Sequence, residues 1–250
     1  MPSADLARLR ARIAALEGVG AEAVPGAVAL GLPEVDAVLP WGGLALGCLH
    51  EVTGVPHGNG VGDGAATAFS AMLLGRLAAG ERKPALWIGH GDMPYAPGLG
   101  QLGLGPERLV LVRPYRAAQS LWALEEGVRC RALAGVLAEV WDVDLTAARR
   151  LQLAAKASGV PALLLNHGPA CGAAVTRWRV GTSPSRSDPA LGVGPWRWNV
   201  ELLRCRGRGV DDRGRVAVWE VEWDEQARGL RLAAPAADRA AAPQRFRAAG

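Results

Sequence analysis

Residues 54–64 read GVPHGNGVGDG, with a glycine at positions 54, 58, 60, 62 and 64. Before them, LHEVT (49–53) alternates apolar and polar side chains and predicts a strand. After them, AATAFSAMLLGRLAA (65–79) predicts an apolar helix. Strand, glycine loop and helix start bring successive backbone N–H groups and a helix N-terminus around one point, a geometry that holds a phosphate. Gly58, Gly60, Gly62, Asp63, Gly64 and Thr67 are therefore the candidate phosphate-loop residues. A working loop of this kind reads GxxxxGK[ST], because its lysine neutralises the outer phosphates and its hydroxyl holds magnesium. Here Gly64 is followed by Ala65 and Ala66, and no alignment of the five glycines restores the spacing. The residues predict the shape of a phosphate site without its charge. The plain alternative is a glycine loop that only turns the chain.

The flanking residues are more specific. LGLPEVDAVLPWGGLALGCLHEVTG (30–54) is similar to the leading segment of the RecA recombinase family. There a leucine and an aspartate, a short helix, GGL and a further glycine precede the first core strand. Asp36, Gly42, Gly43, Leu44 and Gly47 fall on that pattern. LWIGHGDMPYAPGLGQLGLGPERLVLVRP (86–114) resembles the family's second strand, acidic turn, helix and third strand. Four runs resemble one branch more closely, the ImuA family of bacterial damage-induced mutagenesis. They are LPWGGL (39–44), YAPGL (95–99), DVDLTAARRLQLAAKASGV (142–160) against LDLTAxRRLQLA, and RWNVELLRCRG (197–207) against RWxxELLRCRG. The resemblance covers about residues 30–225.

That resemblance implies what is missing. In active RecA-like ATPases the turn after the second strand supplies a water-activating glutamate, a position that Gly91 occupies here, with Asp92 nearest. The strand that normally ends in a magnesium-organising aspartate reads GVLAEVWDVD (135–144), with Glu139 in register and Asp142 and Asp144 beyond it. Phosphoryl transfer depends on positioning and charge neutralisation, so losing lysine, hydroxyl and glutamate together removes most of the mechanism. Glu139, Asp142 and Asp144 could form an acidic metal-binding cluster, but the preferred reading is that Asp142 and Asp144 cap the helix that follows, ahead of Thr146. Both mobile DNA-gripping loops of the recombinases also lack room. No catalytic residue, no metal and no cofactor are expected, ATP being the one candidate.

The resemblance accordingly implies a non-catalytic accessory protein of SOS-induced, error-prone translesion DNA synthesis. Its partners would be ImuB (an inactive relative of Y-family polymerases), an error-prone DNA polymerase III alpha-type subunit, and the RecA filament. Two alternatives stand beside it. One is a RecA-like ATPase with an unorthodox loop; the other is a SulA-like inhibitor of the division protein FtsZ. Chain length and the LTAARRLQLA run favour ImuA over SulA.

Composition sets the outer bounds. The 250 residues are 50% hydrophobic and 21% charged, one ordinary globular domain with short additions. No apolar run reaches the ~20 residues that cross a bilayer, and the N-terminus lacks a signal peptide's apolar centre, so a cytoplasmic protein is expected. Cys48, Cys130, Cys171 and Cys205 are scattered singly and predict buried reduced thiols rather than zinc ligands. None of His50, His57, His90 and His167 has a second ligand at metal spacing. His57 and His90 fall on loops near the vestigial site, where solvent-facing histidines are the preferred reading. The formal charge is +4, and Lys83 and Lys156 are the only lysines among 28 basic residues. Arg204, Arg206, Arg208, Arg213 and Arg215 concentrate late and predict at most weak, salt-steep DNA binding. A solvated face, or a dock for an acidic protein, explains them equally.

The elements that must position these residues alternate. Strands are predicted near 48–53, 85–90, 109–113, 135–140 and 161–166, with helices near 66–79, 95–102, 116–129 and 145–158. Near-continuous apolar strands such as PALLLN (161–166) argue for a parallel sheet covered on both faces. Three alternating runs, 173–181, 196–206 and 215–223, then read as antiparallel strands. The expected fold class is α/β, a RecA-like core of mostly parallel sheet flanked by helices, followed by C-terminal antiparallel strands. The domains predicted are an amphipathic helix within 1–17, a linker 18–33, the core 34–232 and a disordered tail 233–250. The N-terminal stripe Leu6, Leu9, Ile13 and Leu16 is the candidate partner-binding surface, serving self-association, docking on RecA, or both.

Overall fold

A computed structural model of the chain describes residues 26–55, 64–80, 83–90, 94–185 and 194–233. The N-terminal stripe, most of the glycine loop and the tail lie outside the described residues. In chain order the first half forms β1 (Ala27–Val28), α1 (Pro33–Asp36), β2 (Leu44–Ala45), β3 (Leu49–Gly54), α2 (Gly64–Gly80), β4 (Ala85–Ile88), α3 (Ala96–Gln101) and β5 (Leu109–Val112). The second half forms α4 (Ala117–Arg129), β6 (Gly135–Val140), α5 (Leu145–Ser158), β7 (Ala162–Asn166), β8 (Thr176–Ser183), β9 (Arg197–Cys205), β10 (Ala217–Asp224) and β11 (Gly229–Leu232).

Nine strands make one sheet in the order β11-β10-β9-β8-β3-β7-β6-β4-β5. From β8 to β5 all neighbours are parallel, and from β8 to β11 all are antiparallel. The expected fold class is therefore the observed one, with one difference. The first of the three late strands, β8, runs parallel to β3 before pairing antiparallel with β9. Alternation alone cannot distinguish these pairings, because both present side chains with period two.

Two cores follow from the two faces. On one, α2 packs Phe69, Met72, Leu73 and Leu77 against Val52, Leu137, Leu165 and Trp178. That helix is apolar around its whole girth, as burial on all sides requires. On the other, Leu124 and Val128 of α4 and Leu151 and Ala155 of α5 cover Leu86, Val136 and Leu164. Helix α5 begins where Asp144 accepts the Ala147 N–H at 2.7 Å and ends at Gly159 with φ +83°. Asp144 thus caps as the sequence implied, while no capping bond is formed by Asp142 among the hydrogen bonds described.

Part of the stretch read as linker packs on the core. Ala27 and Val28 pair with Ala45 and Leu44, and Leu30 and Leu32 are buried. Asp36 holds this turn by accepting the N–H groups of Leu30 and Gly31.

Strand β3 lies at the centre of the sheet and carries two buried polar residues. His50, on the α2 face, bonds the Thr176 hydroxyl and the Ala45 carbonyl, each at 2.8 Å. Burial pushes its imidazole from 6.5 down to about 4, so it is neutral when folded. Glu51, on the opposite face, pairs with Arg177 and also accepts from Asn166 and the Cys171 N–H.

Two outcomes are expected. Between pH 6.5 and 4 the unfolded chain takes up a proton at His50 that the folded chain refuses. Stability falls as pH drops through that window, by up to about 1.4 kcal/mol per pH unit. His50→Gln flattens that dependence in urea denaturation at pH 7 and pH 5. Arg177→Leu leaves the Glu51 carboxylate buried without its cation and lowers unfolding free energy at pH 7 by about 3–5 kcal/mol.

Candidate functional site

Of the candidate phosphate-loop residues, Gly64 and Thr67 lie within the described residues, and Gly58, Gly60, Gly62 and Asp63 lie outside them. Gly64 is the exposed first residue of α2. The next two side chains point into the protein: Ala65 is 3% and Ala66 2% exposed, both packed in the α2-face core. A lysine at either position would carry its charge into apolar surroundings rather than toward a phosphate. The alanines are therefore packing residues, and the loop's helix end presents no side-chain cation.

Beside that turn opens a cavity of about 630 Å³, between α2, α3 and the neighbouring ends of β8 and β9. Thr67, Ala68 and Ala71 form one wall, Tyr95 and Leu99 a second, and Trp196 and Trp198 a third. Arg197 also borders it, but its guanidinium is held by the buried Glu222 carboxylate at 2.6 Å. The lining is mostly carbon, suited to an apolar group and not to a triphosphate. Sequence reading missed these aromatic walls. Tyr95 was visible in the YAPGL run, and Trp196 and Trp198 in the alternation of WRW, but nothing local says that the two runs meet.

The carboxyl ends of β4, β6 and β7 gather a second group. Glu139 accepts the Trp87 indole N–H at 3.4 Å and the His90 backbone N–H at 3.3 Å. His90 Nε2 bonds the Ser120 hydroxyl at 2.6 Å. The His90 side chain is thus half-buried and engaged, which corrects the solvent-facing reading. Trp141, 48% exposed, stacks on His167 at 4.9 Å and meets His90 edge-on at 5.1 Å. Gly91, Asp92 and His57 lie outside the described residues. With Asp144 occupied as a cap, Glu139 held by two N–H donors and Asp142 on the surface, the three carboxylates do not converge. Among the described residues, no three His, Cys, Asp or Glu side chains are gathered to hold a metal.

The late arginines lie elsewhere. Thr176 pairs with both His50 and Cys205, so the β9–β10 turn sits at the amino end of the parallel strands. The glycine loop leaves from the carboxyl end. Arg204 donates to the Gly172 carbonyl at 2.7 Å, and Arg215 pairs with Asp211 at 3.0 Å. Arg206 is half-buried, and Arg208 and Arg213 are exposed around the turn. These arginines thus lie at the opposite end of the sheet from the glycine loop.

Cys171 and Cys205 are buried as expected, Cys48 is half-buried and Cys130 is exposed. Burial pushes the Cys205 thiol up to about 11 and raises Cys48 and Cys171, so none of the three is a ready thiolate. No helix among the described residues is long and apolar enough to cross a membrane.

One substitution tests the Trp141 arrangement. A Cβ at Gly168 would lie 1.5 Å from the Trp141 carbonyl oxygen. Gly168→Ala must push the two segments apart, and it is expected to cost at least about 1–3 kcal/mol in chemical denaturation.

No protein-family model matches the chain. Protein ImuA from each of two strains of Caulobacter vibrioides is 35% identical to it over 227 residues. The match takes in 84% of this chain and 90% of those proteins. Agreement of that depth across nearly the full length of both partners means that this chain belongs to the ImuA family.

Proposed function

We propose that this protein is a non-catalytic, RecA-like accessory factor of SOS-induced, error-prone translesion synthesis, acting through protein contacts. Membership of the ImuA family supports the mutagenesis role. The burial of Ala65 and Ala66 at the start of α2 carries the non-catalytic part. Where a nucleotide-hydrolysing relative needs a lysine and a metal-binding hydroxyl, this chain has methyl groups packed into its core. The residues present do not fit ATP and magnesium.

The shortness of two connections supports the same reading. Only residues 141–144 separate β6 from α5, and only residues 167–175 separate β7 from β8. Neither leaves length for a mobile DNA-gripping loop of the recombinase kind. What remains is a scaffold with surfaces. ImuB and an error-prone DNA polymerase III alpha-type subunit are the proposed partners. The N-terminal stripe Leu6, Leu9, Ile13 and Leu16 gives a further contact with RecA or with another copy.

Two measurements test this. The purified chain should show no ATP turnover above background, with or without DNA. Turnover that disappears when Gly62 is replaced by a bulky residue would overturn the reading. Pull-down from DNA-damaged cells should recover ImuB with the error-prone polymerase, and recovery of FtsZ in their place would favour the SulA-like alternative.

A further inference from the structure

Strand β5 ends the sheet with four consecutive apolar residues, Leu109, Val110, Leu111 and Val112. Among the described residues it pairs only with β4. The Val112 carbonyl accepts the Gly89 N–H at 3.1 Å, which turns the backbone groups of Val110 and Val112 toward β4. The N–H and C=O of Leu109 and Leu111 therefore point outward. Val110 is 45% and Leu111 42% exposed, on opposite faces. Protein edges are usually guarded by proline, inward charge or a bulge, and this one has none within the strand.

We propose that a second copy of this chain covers the edge, β5 pairing antiparallel with β5 about a two-fold axis normal to the sheet. The outward groups restrict the register. Setting Leu109 opposite Leu111 of the second copy places Val110 opposite Val110 of the second copy. Glu107 sits in the single 3-10 turn, Pro106–Arg108, that leads into β5, and Arg113 follows its last residue, so antiparallel pairing brings these opposite charges to the same end of the seam, and symmetry makes that approach twice. Glu107 and Arg113 are both exposed. Arg108 is drawn away by the Ala78 carbonyl at 2.8 Å, which removes a cation from the seam.

Side chains agree with this register. On one face Leu109 and Leu111 border an apolar notch of about 70 Å³, completed by Leu99, Leu104 and Pro106. Leu111 of the second copy lies beside Leu109 and covers that notch. The axis keeps like faces together, so both copies close their notches at once. A four-residue seam is short, so the dimer is weak and concentration-dependent. The contact is independent of the N-terminal stripe and of the accessory role proposed above.

Sedimentation equilibrium of the full chain, from low to high micromolar concentration, tests it. A monomer–dimer equilibrium is expected. Leu111→Pro deletes an outward N–H without touching the bonds to β4 and should abolish the dimer at unchanged melting temperature. Glu107→Arg or Arg113→Glu alone should weaken the dimer about tenfold, and the two together should restore it. The charge pair keeps the test sound if the proline variant misfolds. A monomer at all concentrations overturns the proposal. So does a dimer that persists in well-folded Leu111→Pro, or one indifferent to both single charge reversals.

Discussion

The Glu51 carboxylate is the interaction on which the rest of the structure depends. It lies fully buried in the central strand, where an uncompensated charge would be prohibitive. Its oxygens accept from Asn166 Nδ2 at 2.6 Å, the Cys171 N–H at 2.9 Å and Arg177 Nε at 2.6 Å. Those donors come from the end of β7, the crossover after it and the start of β8. Arg177 in turn donates to the Cys171 carbonyl at 2.8 Å. One carboxylate thus fixes a nine-residue crossover against the sheet, where a helix would otherwise lie. His50, the preceding residue, bonds Thr176 from the opposite face. Neighbouring side chains on β3 therefore grip β8 from both sides, and β8 is the strand at which the sheet changes from parallel to antiparallel.

This clamp limits what the carboxyl end of the sheet can carry. A crossover held so tightly has no slack for a long loop, and α5 begins four residues after β6. The helix that leaves the glycine loop is fixed just as firmly, because Ala65 and Ala66 are part of its packed surface. The cavity beside that helix start is bounded by Tyr95, Trp196 and Trp198.

Charge follows a similar logic. A formal +4 invites a nucleic-acid reading, yet several late arginines are matched by carboxylates on the strands or in the turn between them. Arg179 pairs with Glu201, Arg197 with Glu222 and Arg215 with Asp211. Arg208 and Arg213, both exposed, flank a single turn.

By itself the sequence determined the alternation of strands and helices, the parallel core and the family, because period-two and period-3.6 patterns and long motif runs are local signals. The DVDLTAARRLQLA run even specified the Asp144 cap of α5, since a cap and its helix are contiguous in the chain. The missing lysine at Ala65 and Ala66 was equally legible as an absence within a motif. Only the tertiary structure decided which face those alanines occupy, that His90 is tied to Ser120, and that β8 lies parallel to β3. It also joined Tyr95 to Trp196 and Trp198 across about 100 residues of chain and separated the late arginines from the glycine loop. These are long-range matters, decided by how buried polar groups such as Glu51 and His50 find partners, and no periodicity within one segment records its neighbour across the sheet.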